Sequence, residues 1–68
     1  MPLVEVVEVA RRVEAGETVM ALPPQSAVPE RVTVGVWSGR PALVFDGGAV
    51  VPLDRVTLAG PARVWVTG

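Results

Sequence analysis

The sequence predicts an α+β fold, mainly β: one N-terminal helix followed by a small antiparallel barrel of five to six strands. Three observations carry that expectation. Apolar residues near the N-terminus recur at helical spacing, and further on the period drops to two. Turns rich in Gly and Pro cut the remainder into short runs. A chain of 68 residues has room for a single domain, residues 1–68.

The helix is expected over residues 3–15. Leu3, Val6, Val7, Ala10 and Val13 follow the spacing of one helical face, with Glu5, Glu8 and Arg12 on the other side. Pro2 suits a first helical turn. Early glutamates and the later Arg11 and Arg12 complement the helix dipole. Glu8 and Arg12 make an i, i+4 pair in the better orientation. Gly16 is placed to end the helix as a left-handed cap. Valine is only a moderate helix former. A strand would nevertheless put Glu5 and Glu8 on opposite faces, so the segment reads as helix throughout.

Strands are expected at about 18–22, 31–37, 41–46, 49–53, 55–59 and 62–67. Pro23-Pro24 ends the first, and a loop runs to Pro29. In the second, Val32, Val34 and Val36 face one way, and Arg31, Thr33, Gly35 and Trp37 the other. Ser38-Gly39 is a turn. Asp46-Gly47-Gly48 signals a hairpin, because Asp-Gly supplies the positive φ angles of a type I′ turn. Gly60-Pro61 breaks the chain before the last strand, in which Val64 and Val66 share a face.

This order resembles an SH3-like barrel preceded by a helix. Sm-like proteins, which form rings, have the same order of elements, but no Sm sequence motif is present and the likeness carries no function. A second resemblance is local. RRVEAGETVMAL, residues 11–22, is similar to the helix–Gly-Glu–strand unit of Phd/YefM-type antitoxins, and SGRPALVF, residues 38–45, echoes the strand that follows there. That resemblance implies a dimeric DNA-binding repressor that neutralises a toxin. The chain departs from the family by lacking the preceding strand and helix. It also inserts a Pro-rich loop and a strand between the two matching pieces, and its C-terminal third is β-patterned.

Composition points to a protein partner. Seven glycines added to the hydrophobic half of the chain bring 41 of 68 residues into the apolar class, above the roughly 45–50% of an ordinary domain. A body this small cannot hide so much apolar area alone. A second copy of the chain is the most economical cover, so a homo-oligomer is expected. The net charge of −1 disfavours nucleic acid as a partner. No apolar run approaches a membrane span, and the acidic N-terminus is unlike a signal peptide. A cytoplasmic location is therefore expected. All six basic residues are Arg, and Lys, Ile, Asn and Tyr are absent. Such usage suggests a GC-rich genome, that of a thermophile or its virus.

Catalytic residue types are scarce. Without Cys or His the chain lacks thiolate and imidazole ligands and the commonest general base. Ser26 and Ser38 have no histidine to activate them. Asp46 reads as a turn residue, and Asp54 as a turn cap or local partner of Arg55. Gly35, Gly39, Gly47 and Gly48 form no phosphate loop, since no helix follows them. No catalytic, cofactor or metal site is expected, and the chain is not expected to be an enzyme.

The candidate partner contacts are Trp37, Trp65, Arg31 and Arg63. Each tryptophan shares the polar side of its strand with an arginine. Trp and Arg are typical anchors of protein interfaces. The competing explanation is cover by the helix or a neighbouring strand; stacking of bases on the rings is a weaker third. The functional expectation is a small non-enzymatic interaction module, or a structural subunit of a larger phage or accessory assembly. The alternative is a nucleic-acid-associated regulator with an SH3/Sm-like barrel or a Phd/YefM-antitoxin-like role.

Overall fold

The computed structural model describes residues 1–54 and 63–67. Within them the order is β1 (Leu3–Glu5), α1 (Val6–Glu14), β2 (Met20–Ala21), β3 (Glu30–Trp37), β4 (Arg40–Phe45), β5 (Val50–Pro52) and β6 (Arg63–Trp65). The chain is mostly β with one short helix. The expected strand at 55–59 lies outside the described residues, as does the start of the last strand at residue 62.

The N-terminus corrects the sequence reading. Residues 3–5 are a strand, and the helix begins only at Val6. β1 runs antiparallel to β6, with Leu3 opposite Trp65, Val4 opposite Val64 and Glu5 opposite Arg63. The argument against a strand at Glu5 fails because Glu5 and Glu8 sit in different elements. Glu5 is the extended residue before the helix, at φ −62° and ψ 140°, without a side-chain cap.

Moving the helix start also moves its buried face. Val6, Val9 and Ala10 are buried and Val13 packs against the same core, the i, i+3, i+4, i+7 set counted from Val6. Val7 points to water at 59% exposure. The helix ends as expected. Gly16, at φ 95°, donates its N–H to Val13 (3.0 Å), and Glu17 donates to Arg12 (3.1 Å). That pair of bonds is a Schellman cap.

β2, β3, β4 and β5 form a four-stranded antiparallel sheet, curled into a half-barrel, and β1 and β6 a two-stranded one. A bridge between Ala21 and Val66 joins them. There Leu22 N–H donates to Trp65 (2.9 Å) and Thr67 N–H to Met20 (2.8 Å). The alternation read in the second strand holds: Val32 is buried, Val34 is half-buried, and Val36 emerges into water at the hairpin end.

The two hairpins differ in their turns. Ser38 (φ 51°) and Gly39 (φ 75°) link β3 to β4 with the two positive φ angles of a type I′ turn. The Asp46 turn is not of that type. Gly48 N–H donates to Phe45 C=O (2.8 Å), and only Gly48 of the three loop residues has positive φ, at 105°. The loop is a turn closed by a glycine bulge, the common three-residue hairpin. Glu30 steadies it by accepting from Gly47 N–H (2.6 Å).

The core is one cluster. α1 lays Val6, Val9 and Ala10 against Val19, Ala21, Val32, Leu43, Phe45, Val51, Val64 and Val66 from the sheets. Phe45 and Leu43 are its largest fully buried side chains, each contributing roughly 1.5–3 kcal/mol by burial. No polar or charged side chain is buried among the described residues.

Candidate functional site

The outer faces of β1, β6 and the β2 segment build an apolar stripe. Side chains alternate along β6, so Val64 and Val66 enter the core while Arg63 and Trp65 face outward. Leu3 lies opposite Trp65 across the β1–β6 pair. On the other flank, the backbone bond from Leu22 to Trp65 brings Leu22 alongside. Past Leu22 the chain turns outward and walls this face. The result is an open groove of about 650 Å³, lined by Leu3, Leu22, residues 23–27 and Arg63, Val64 and Trp65. That volume lies within the range of ligand sites, roughly 300–1,000 Å³.

Short-range bonds hold the wall. Ser26 N–H donates to Pro23 C=O (3.1 Å), closing a β-turn over Pro24 and Gln25. Gln25 sits at φ 60°, the left-handed region that the third position of a type II turn requires. Val28 N–H then donates to Ser26 Oγ (3.2 Å). Pro23, Pro24 and Pro29 further restrict the segment.

The four sequence-predicted contacts fall in two places. Trp65, 47% exposed, and Arg63 line the groove. Trp37, 42% exposed, sits at the far end of β3 opposite Arg40, beside the exposed Val36. Arg31 faces out lower on β3, where its Nε is 3.7 Å from Asp46 Oδ2. Both tryptophans keep close to half their surface in water, so neither helix nor strand covers them fully. Sequence reasoning missed Leu3 and the 23–27 wall. The periodicity places Leu3 on the helix, and Pro23-Pro24 signals a strand end and a loop. The usable signal was the run of prolines next to a strand bearing an outward Trp.

The charges divide unevenly. Glu8 bonds both Arg11 and Arg12 on the helix surface. The Arg11 hydrogen bond is the main reason the Glu8 carboxyl is held below its ordinary range, with Arg12 adding to it and partial desolvation opposing it. Arg40 pairs with Asp54 across the sheet; Arg55, the local partner expected for Asp54, lies outside the described residues. Arg31 pairs with Asp46. Among the described residues Arg63 makes no ion pair. A smaller depression of about 290 Å³ beside α1 is lined by Glu8, Arg11 and Arg12, whose charges are already matched.

Among the described residues, no three carboxylates gather as a metal site would require, and no helix is long and apolar enough to cross a membrane. No family model, curated protein or solved structure matches the chain.

Proposed function

We propose that the protein is a small non-enzymatic interaction module or structural subunit, built on an SH3-like barrel. It self-associates or docks in a larger assembly of phage or accessory type in the cytoplasm. The observation that supports this reading is the apolar surface left in water. Leu3, Val7, Val28, Val36, Trp37 and Trp65 are all between 42% and 75% exposed on a chain of 7.1 kDa. Scattered exposed apolar residues are ordinary. Here Leu3 and Trp65 instead adjoin in register and share a groove. Adjoining apolar residues on a small surface mark contact sites.

The alternative, a nucleic-acid-associated regulator of SH3/Sm-like or Phd/YefM-antitoxin-like type, needs a cluster of unmatched cations. Arg11, Arg12, Arg31 and Arg40 each face a carboxylate, which favours the protein-binding reading. Light scattering at micromolar concentration is expected to give a mass that is a multiple of 7.1 kDa. A monomeric mass, with no partner recovered on the immobilised protein, overturns the proposal. Retention on DNA or RNA at ~50 mM salt that falls steeply as salt rises supports the alternative instead.

A further inference from the structure

From the groove on the outer face of β6, we infer a docking site for an extended apolar peptide segment of a partner protein that carries an acidic residue. The inference rests on the interaction-module reading and names the partner chemistry of one of its surfaces.

Three observations converge on that occupant. The floor and sides are apolar: Trp65, Leu3, Leu22 and Pro23 supply them, and among the described residues no carboxylate lines the groove. Among the described residues the one charged side chain in the lining is Arg63. It shares an outward strand face with Trp65, two residues away, and is the described arginine without an ion pair. Glu5 stands opposite Arg63 in the β1–β6 register, yet Arg63 makes no ion pair among the described residues; a guanidinium so placed beside an apolar surface is complementary to a carboxylate carried on an apolar chain, and the bond it makes there is charge-assisted and geometrically selective. The third observation is preorganisation. The wall at 23–27 is fixed by its turn bond, the Ser26 Oγ bond and two prolines, so little order need be imposed when a ligand enters.

The groove is open to solvent rather than enclosed, which leaves room for a chain that continues beyond it. Gln25 and Ser26 at its rim bring hydrogen-bonding groups that can meet a peptide backbone. A nucleic-acid strand fits less well. It presents a phosphate at every residue, and the described residues of the groove offer a single cation.

Selection from a phage-displayed random dodecapeptide library on the intact protein tests this, followed by fluorescence anisotropy with the enriched peptides. The expected result is a set of apolar sequences sharing one Asp or Glu. Their affinity falls at least tenfold in Trp65→Ala and in Arg63→Gln, and is unchanged in Trp37→Ala. Replacing the shared acid of the peptide by its amide costs wild type the same factor and costs Arg63→Gln nothing further. Far-UV circular dichroism of each variant checks folding, and Arg63→Gln keeps the test decisive if Trp65→Ala unfolds. No enrichment, enrichment of basic peptides, binding indifferent to both groove variants, or binding of oligo-dT or oligo-U in place of peptide overturns the inference. Light scattering on the same samples separates the two levels. An oligomer that selects no peptide sinks only the groove assignment, and a monomer that selects none sinks the interaction-module reading with it.

Discussion

Alanine at Val9, compared with alanine at Val7, tests how α1 sits on the sheet. Val9 is fully buried and Val7 is 59% exposed, although they are two residues apart on one helix. Val→Ala removes two carbons. At about 0.8 kcal/mol per buried methylene the loss at Val9 is ~1.6 kcal/mol, and the cavity left behind adds up to about 1 kcal/mol. Alanine's better helix propensity returns roughly 0.5 kcal/mol. Val9→Ala should therefore cost about 2 kcal/mol. At Val7 the smaller transfer loss and the same propensity gain nearly cancel, so Val7→Ala should stay within about 0.5 kcal/mol. A core this small supplies only about 3–5 kcal/mol in total, so the first change removes a large share and the second almost none. Urea unfolding followed by far-UV circular dichroism measures both, at two protein concentrations tenfold apart. Equal costs, or a larger cost at Val7, would refute the placement of the helix and restore a face containing Leu3 and Val7.

Two further outcomes follow from the turns and the helix surface. Gln25→Gly should raise stability by about 0.5–1 kcal/mol, because glycine adopts the left-handed φ of 60° without the side-chain penalty; a thermal melt should shift upward by ~2–8 °C, and a downward shift would mean the turn is otherwise built. Glu8 has a lowered carboxyl pKa, from Arg11 first and Arg12 next. Its contribution is present above the ordinary carboxylate range and is lost as pH falls through the lowered value. Wild type should therefore lose stability on acidification more steeply than Glu8→Gln, and coincident pH profiles would contradict the pairing.

What could be read in the sequence was what neighbouring residues decide. Gly16 ends the helix because only a few bonds around residues 12–17 are involved. Ser38-Gly39 turns the chain because two adjacent residues take positive φ. The alternation of Val32, Val34 and Val36 follows from the pleat alone. Glu8 and Arg12 meet because a helix brings residues four apart together. The excess of apolar residues likewise foretold that some would remain on the surface.

The same local rules misplace the N-terminus. Leu3 and Val4 carry a spacing compatible with either period, and their strand partner stands at the opposite end of the sequence. Asp46-Gly47-Gly48 shows a milder form of the problem: the hairpin was legible, but the turn type was fixed by where Glu30 and Phe45 meet the loop. The groove is wholly of this non-local kind, since Leu3, the 23–27 wall and Trp65 come from three distant parts of the chain.

The sequence by itself thus determined the body of the helix and its Gly16 cap, the β3 and β4 strands with their turn, and the outward phase of Trp37, Trp65, Arg31 and Arg63, since each depends on torsions and spacings within a few residues. Only the tertiary structure decided that β1 precedes the helix, which helix face is buried, and that Trp65 and Arg63 share a groove from which Trp37 and Arg31 are absent. Strand pairing between chain ends is chosen by the competition of whole surfaces for burial, and no short window of sequence contains both competitors.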